Sequence, residues 1–169
     1  MSRTLTKTSL LHNFHNTLFS EPNLAVYAVL DGAAIPGLLN QLNRFQAEFV
    51  CLYRGELAAD MATMAPYLAV LPPDAEVTHW LLGLVGRYPG IFMRTKASMQ
   101  EMRQHLRKLL TVYDAESKPV YFRYYDPRVL RVYLPSCHRE ESAMMFGPVS
   151  HFFAENESGH QLLKFSPLR

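Results

Sequence analysis

The 169-residue chain is poor in the residues that announce common chemistry. It has two cysteines, Cys51 and Cys137, one tryptophan and eight dispersed glycines. The cysteines form no CxxC pair and no disulfide framework, so both read as reduced thiols of a cytoplasmic protein. No apolar run approaches the ~18 residues of a membrane span. The start is polar through residue 8, and the apolar run behind it is broken by His12, Asn13, His15 and Asn16. That is not the pattern of a signal peptide, and no membrane insertion is expected. Neither GxxxxGK[ST] nor GxGxxG occurs, which removes the common nucleotide loops, and GxSxG is missing as well. An excess of one charge sign is also lacking. Lys and Arg total 17 against 15 Asp and Glu, a formal net charge of +2, and the two signs are interleaved. A nucleic-acid-binding module would concentrate basic residues on one face, so no nucleic-acid partner is expected.

What is present is apolar patterning. Hydrophobic residues make up 49% and charged residues 19%, the balance of a folded chain of one domain. Residues 10–19 place Leu10, Leu11, Phe14 and Leu18 on one helical face. Residues 24–30 (LAVYAVL) are apolar without alternation and stop at Asp31-Gly32, as a fully buried strand does. A short helix over 36–45 follows, then strands over 49–53, 67–71 and 91–95. Asp74 stands where it can cap a helix over 75–85. Ser98 and Glu101 spell a capping box, and Met99, Met102, Leu106, Leu109, Leu110 and Tyr113 follow at helical spacing. A fifth strand is predicted over 119–125. Asp126-Pro127 then starts a helix. A further helical turn is expected over 140–145, and residues 149–154 and 160–165 form a closing hairpin.

Strands alternating with helices predict an α/β fold: a mixed, partly parallel sheet flanked by helices in a single domain. Residues 1–23 are the lead-in with its helix, 24–149 the main domain, and 150–169 the closing hairpin packed on the same domain.

Candidate chemistry is sparse. Cys51 lies in an apolar strand, where packing explains it better than nucleophilic catalysis. Seven histidines are present, but Cys137, His138, His151 and His160 match no zinc spacing. His12 and His15, three apart on a helix, can hold a metal or simply form a polar face. The second reading is preferred, and no metal or cofactor is expected. The densest cluster is FRYYDPRVL at 122–130. Strand alternation would put Arg123 and Tyr125 on one face, with Asp126 and Arg128 at the following helix start. This is either a polar recognition site or a structural set in which Asp126 caps the helix and Arg123 pairs with Asp31. His105 sits at the margin of a helical stripe, as a partly buried, hydrogen-bonded side chain does. A hydrolase-like enzyme would need His105 to meet Asp31 or Asp126. Met61, Met64, Met144 and Met145 suit either a core or a groove that accepts varied helices.

Six segments, in order, resemble one family, the adaptor (effector-chaperone) domain of bacterial type VI secretion. They are YAVLDGA at 27–33, APYLAVL at 65–71, HWLL at 79–82, HLRKLL at 105–110, FRYYDPRVL at 122–130 and FGPV at 146–149. The resemblance implies a cytosolic protein without catalytic activity. Its implied partners are a secreted effector (toxin) and the spike protein of the type VI secretion apparatus. The motif positions that carry over are Asp31, His105, Arg107, Arg123, Tyr125, Asp126 and Arg128.

Overall fold

The computed structural model describes residues 6–169. The chain runs α1 (Lys7–Leu18), β1 (Ala25–Asp31), α2 (Leu38–Arg44), β2 (Phe49–Cys51), α3 (Ala59–Met64), β3 (Pro66–Val70) and α4 (Glu76–Leu82). It continues with β4 (Gly90–Thr95), α5 (Met99–Lys108), β5 (Thr111–Tyr113), β6 (Pro119–Tyr121), α6 (Pro127–Ser136), α7 (Arg139–Phe146), β7 (Val149–Glu155) and β8 (Leu162–Phe165).

Six strands form one sheet in the order β2-β3-β1-β4-β7-β8, and every neighbouring pair is antiparallel. The expectation of a partly parallel sheet is therefore corrected. Two features of the chain produced it. First, β1 and β2 do point the same way, as do β3 and β4, and each pair is joined through a helix. Each of these crossovers passes over one strand position, and an antiparallel strand fills the gap. Second, the sheet is covered on both faces, so its central strands are apolar on both sides over most of their length and imitate parallel ones. Val26, Ala28 and Leu30 pack with Phe14, Leu18, Leu42 and Leu81 on one side. Tyr27, Val29 and Met93 pack with Met102, Leu106, Leu130 and Phe146 on the other. The closing hairpin, β7–β8, is the far edge of this same sheet.

Local signals were obeyed unevenly. Ser98 caps α5, its hydroxyl accepting the Glu101 N–H at 3.2 Å. Asp126 caps α6, and Pro127 opens it. Asp74 does not cap α4, which starts from Ala75 with no side-chain cap. The turn before it is held instead by the Thr78 hydroxyl, which donates to the Pro72 carbonyl at 2.5 Å. The fifth strand ends at Tyr121 and pairs with β5 in a separate, exposed two-stranded sheet. Residues 122–125 are a connector in which Tyr124 and Tyr125 turn into the core. The strand alternation expected for Arg123 and Tyr125 is thus wrong, because burying two consecutive tyrosines requires a turn. The four irregular methionines divide: Met145 is core, while Met61, Met64 and Met144 are exposed.

Three carboxyl or guanidinium side chains are buried in the sheet: Asp31 at the end of β1, Arg94 and Glu155. Arg94 on β4 is 1% exposed. It pairs with Glu21 at 3.1 Å and donates to the Thr17 carbonyl at 3.1 Å and the Ser20 hydroxyl at 2.7 Å. Its guanidinium also lies 4.8 Å from the Phe153 ring centre. Arg94 thereby clamps the end of α1 and the turn after it onto the sheet.

Glu155, at the end of β7, is fully buried. One carboxylate oxygen accepts the Gly86 N–H at 2.8 Å, and the other has no hydrogen-bond partner. Burial raises its pKa, outweighing the Gly86 hydrogen bond and the positive charge of Arg131. The folded state then holds a proton that the unfolded chain releases near pH 4.5. Stability from this group is complete below that pH and is lost as pH rises through the folded-state pKa. In Glu155→Gln this loss should vanish. Thermal melts from about pH 4 to about pH 8 should show the variant gaining on the wild type as pH rises. A difference constant with pH would rule out the raised pKa.

Candidate functional site

The alternation of strand direction brings the ends of β1 and β2 and the start of β4 to one edge of the sheet. The segment leading into α6 crosses this edge. Asp31, the last residue of β1, is buried. One of its oxygens accepts the Ala33 N–H at 2.9 Å, and the other receives Arg123 Nη2 at 2.6 Å. The Asp31–Arg123 pair considered from the sequence is therefore formed. The Arg123 side chain remains 46% exposed, and its guanidinium lies 5.4 Å from the Tyr125 ring centre.

A second carboxylate–guanidinium pair lies beside the first. Asp126 accepts the Arg128 backbone N–H at 2.9 Å, Arg128 Nε at 3.0 Å and Arg128 Nη2 at 2.8 Å. Two parallel side-chain bonds of this kind fix the plane of the guanidinium. Arg128 is 59% exposed and lies 5.1 Å from the Tyr88 ring centre, with Arg131 5.9 Å from the same ring. Burial acts to raise the Asp126 pKa, but the hydrogen bonds and charge of Arg128, with Arg123 beyond, hold it below its usual value. Arg128 is correspondingly raised by its bonds to Asp126.

A chain of phenols completes the edge. Tyr53 donates to Tyr121 at 2.9 Å, and Tyr121 and Tyr125 share a hydrogen bond at 2.9 Å. Burial, first of all, raises the pKa of both Tyr121 and Tyr125, so these two act as neutral phenols. Together these groups make a platform of half-exposed guanidiniums and phenols backed by the buried ring of Tyr125, each already held in place. Such groups lose little further freedom when a partner binds them.

The two motif residues of α5 make no side-chain bond to Asp31, Arg123, Tyr125, Asp126 or Arg128 and instead bind backbone carbonyls. His105 Nε2 donates to the Met145 carbonyl at 2.8 Å, and burial lowers the His105 pKa. Gly147 is packed against this ring. A Cβ there would come within 2.5 Å of His105 Cε1, and φ is +47°. Only glycine suits both conditions. Arg107 binds the carbonyls of Cys51, Leu52 and Tyr53 at 3.0, 3.1 and 3.4 Å. It anchors α5 to the end of the edge strand β2. Tyr124, fully buried, donates to the Leu106 carbonyl at 2.8 Å. The segments at 105–110, 122–130 and 146–149 are thus one packed unit.

Asp31, Arg123, Tyr125, Asp126 and Arg128 are brought together, whereas His105 and Arg107 are not. Tyr53, Tyr88 and Tyr121 belong to the platform and were not singled out from the sequence. Each lies in a separate segment, with no motif to mark it. His12 and His15 line a cavity of about 460 Å³ with His79 and Asp74. His15 Nε2 donates to the Pro73 carbonyl at 2.7 Å, and its ring stacks on His79. Among the described residues, no group of three or more His, Cys, Asp or Glu is positioned to hold a metal ion. No described helix is long and apolar enough to cross a membrane.

The sequence profile of a family described as "Domain of unknown function (DUF4123)" matches residues 26–143. The match spans more than half of the chain, from β1 into α7, and the chain belongs to this family. No curated protein and no solved structure matches the chain.

Proposed function

We propose that this DUF4123 chain is a cytosolic adaptor of type VI secretion that binds a secreted effector and promotes its loading onto the spike protein. The observation that carries the reading is the pair Arg123 and Arg128, each oriented by a buried carboxylate, resting near a phenol ring and half-open to solvent. Arginine and tyrosine are enriched where protein interfaces concentrate their binding energy. The six-segment resemblance supplies the identity of the partners.

The enzyme reading has less support. Hydrolysis by His105 with Asp31 or Asp126 needs a hydrogen bond from the base to an orienting carboxylate. His105 is bonded to Met145, Asp31 to Arg123 and Asp126 to Arg128. No hydrogen bond joins His105 to either acid among the described residues.

The test is affinity purification of the tagged chain from its own host, with effector and spike proteins both expressed. Recovery of a toxin-like protein or a spike protein, identified by mass spectrometry, is the expected result. Failure to recover either one under those conditions rejects the adaptor reading.

A further inference from the structure

Next to the platform, a cavity of about 450 Å³ opens where the end of β2 meets α5, reached through Tyr53 and Tyr121 of the phenol chain. Leu52, Leu57, Met61 and Leu110 make most of its lining apolar. Its charged lining residues are Arg54 and Arg107, with no carboxylate among them. Arg103 stands one helical turn before Arg107, and its buried Nε has no hydrogen-bond partner. Arg54, Arg103 and Arg107 make no ion pair among the described residues. Arg107 is depressed by burial first and then by the positive charges of Arg103 and Arg54. Two guanidiniums, Arg54 and Arg107, therefore line one largely apolar cavity with no carboxylate to balance them, Arg107 being held by the backbone carbonyls of residues 51–53. Met61, at the cavity, and Met64 on the same helix are 50% and 59% exposed. Flexible thioethers of this kind conform to varied apolar side chains.

We propose that this cavity receives an acidic segment of the partner protein, with an apolar side chain seated against Leu57, Met61 and Leu110 and a carboxylate meeting Arg54 at its rim. The proposal rests on the adaptor reading and specifies the chemistry of its partner. Charge complementarity selects an acidic occupant. The apolar lining selects a peptide over a phosphate polymer, as does the chain's net charge of only +2.

A random-peptide display selection against the purified full chain tests it. Arg54→Glu and Met61→Asp are the comparison variants, both at exposed positions, with thermal melts to verify folding. Enriched peptides should be acidic with an apolar anchor. Each variant should weaken their binding about tenfold or more. Peptides without acidic bias, or peptides that bind both variants like the wild type, would overturn the proposal. So would binding of phosphatidylserine vesicles or duplex DNA that Arg54→Glu abolishes while no acidic peptide is enriched. The two readings fail separately. Effector or spike captured equally by wild type and both variants sinks the cavity proposal and leaves the adaptor. Acidic peptides lost in both variants, with no effector or spike captured by the wild type, uphold the cavity and sink the adaptor.

Discussion

Arg94→Ala should cost about 2–5 kcal/mol of stability, the range for truncating a large, fully packed side chain to alanine. Against a total of about 5–15 kcal/mol for an ordinary domain, that is a large share. The size follows from how Arg94 is used. It is 1% exposed, pairs with Glu21, binds Thr17 and Ser20, and faces the Phe153 ring. Alanine removes all four contacts and leaves a cavity between α1 and the sheet. Arg94→Lys keeps the charge but not the planar fork, so it should recover only part of the loss. Urea denaturation of both variants measures this. A loss below about 1 kcal/mol for alanine, the range of an exposed ion pair, would mean that Arg94 does not clamp α1.

The second large effect concerns binding. Arg123→Ala and Arg128→Ala should each reduce affinity for the captured partner by about 2 kcal/mol, roughly 30-fold. Arg123→Ala also strips Asp31, a buried carboxylate, of its ion pair, so part of its effect is on folding. Arg128→Ala separates the two. Asp126 still accepts the backbone N–H of residue 128 and still caps α6, so the variant should fold. Affinity measured by calorimetry on the folded Arg128 variant is therefore the decisive value. An unchanged affinity there, together with loss in Arg123→Ala that tracks its melting temperature, would make the arginines structural and move the interface elsewhere.

Both predictions turn on residues whose roles were legible to different degrees. The cluster at 122–130 stood out because Arg, Tyr and Asp are dense there, and an Asp-Pro pair announces a helix start wherever it falls. Asp31 is marked in the sequence because it closes an apolar strand. Arg94 carries no such mark. In the sequence it is one charge inside the apolar segment GIFMRT, and nothing local says that the end of α1 will cover it. Glu155, at the end of β7, was invisible for the same reason. Burial of a charge is a property of what packs over it, and those partners come from distant segments.

What the sequence by itself determined is local. The capped start of α5, the Asp126–Pro127 start of α6, the turn after β1 and the apolar central strand follow from hydrogen bonding and hydrophobic patterning within a few residues. Only the tertiary structure decided the sheet. Whether a strand enters beside its predecessor or one position away is set by which faces bury one another, and here that choice made every pair antiparallel. The same long-range packing assembled Tyr53, Tyr88, Tyr121 and Tyr125 around Arg123 and Arg128. It also gathered Arg54 and Arg107 at one cavity, with Arg103 close enough to act on Arg107, since charges separated in sequence meet only where the core brings their backbones together.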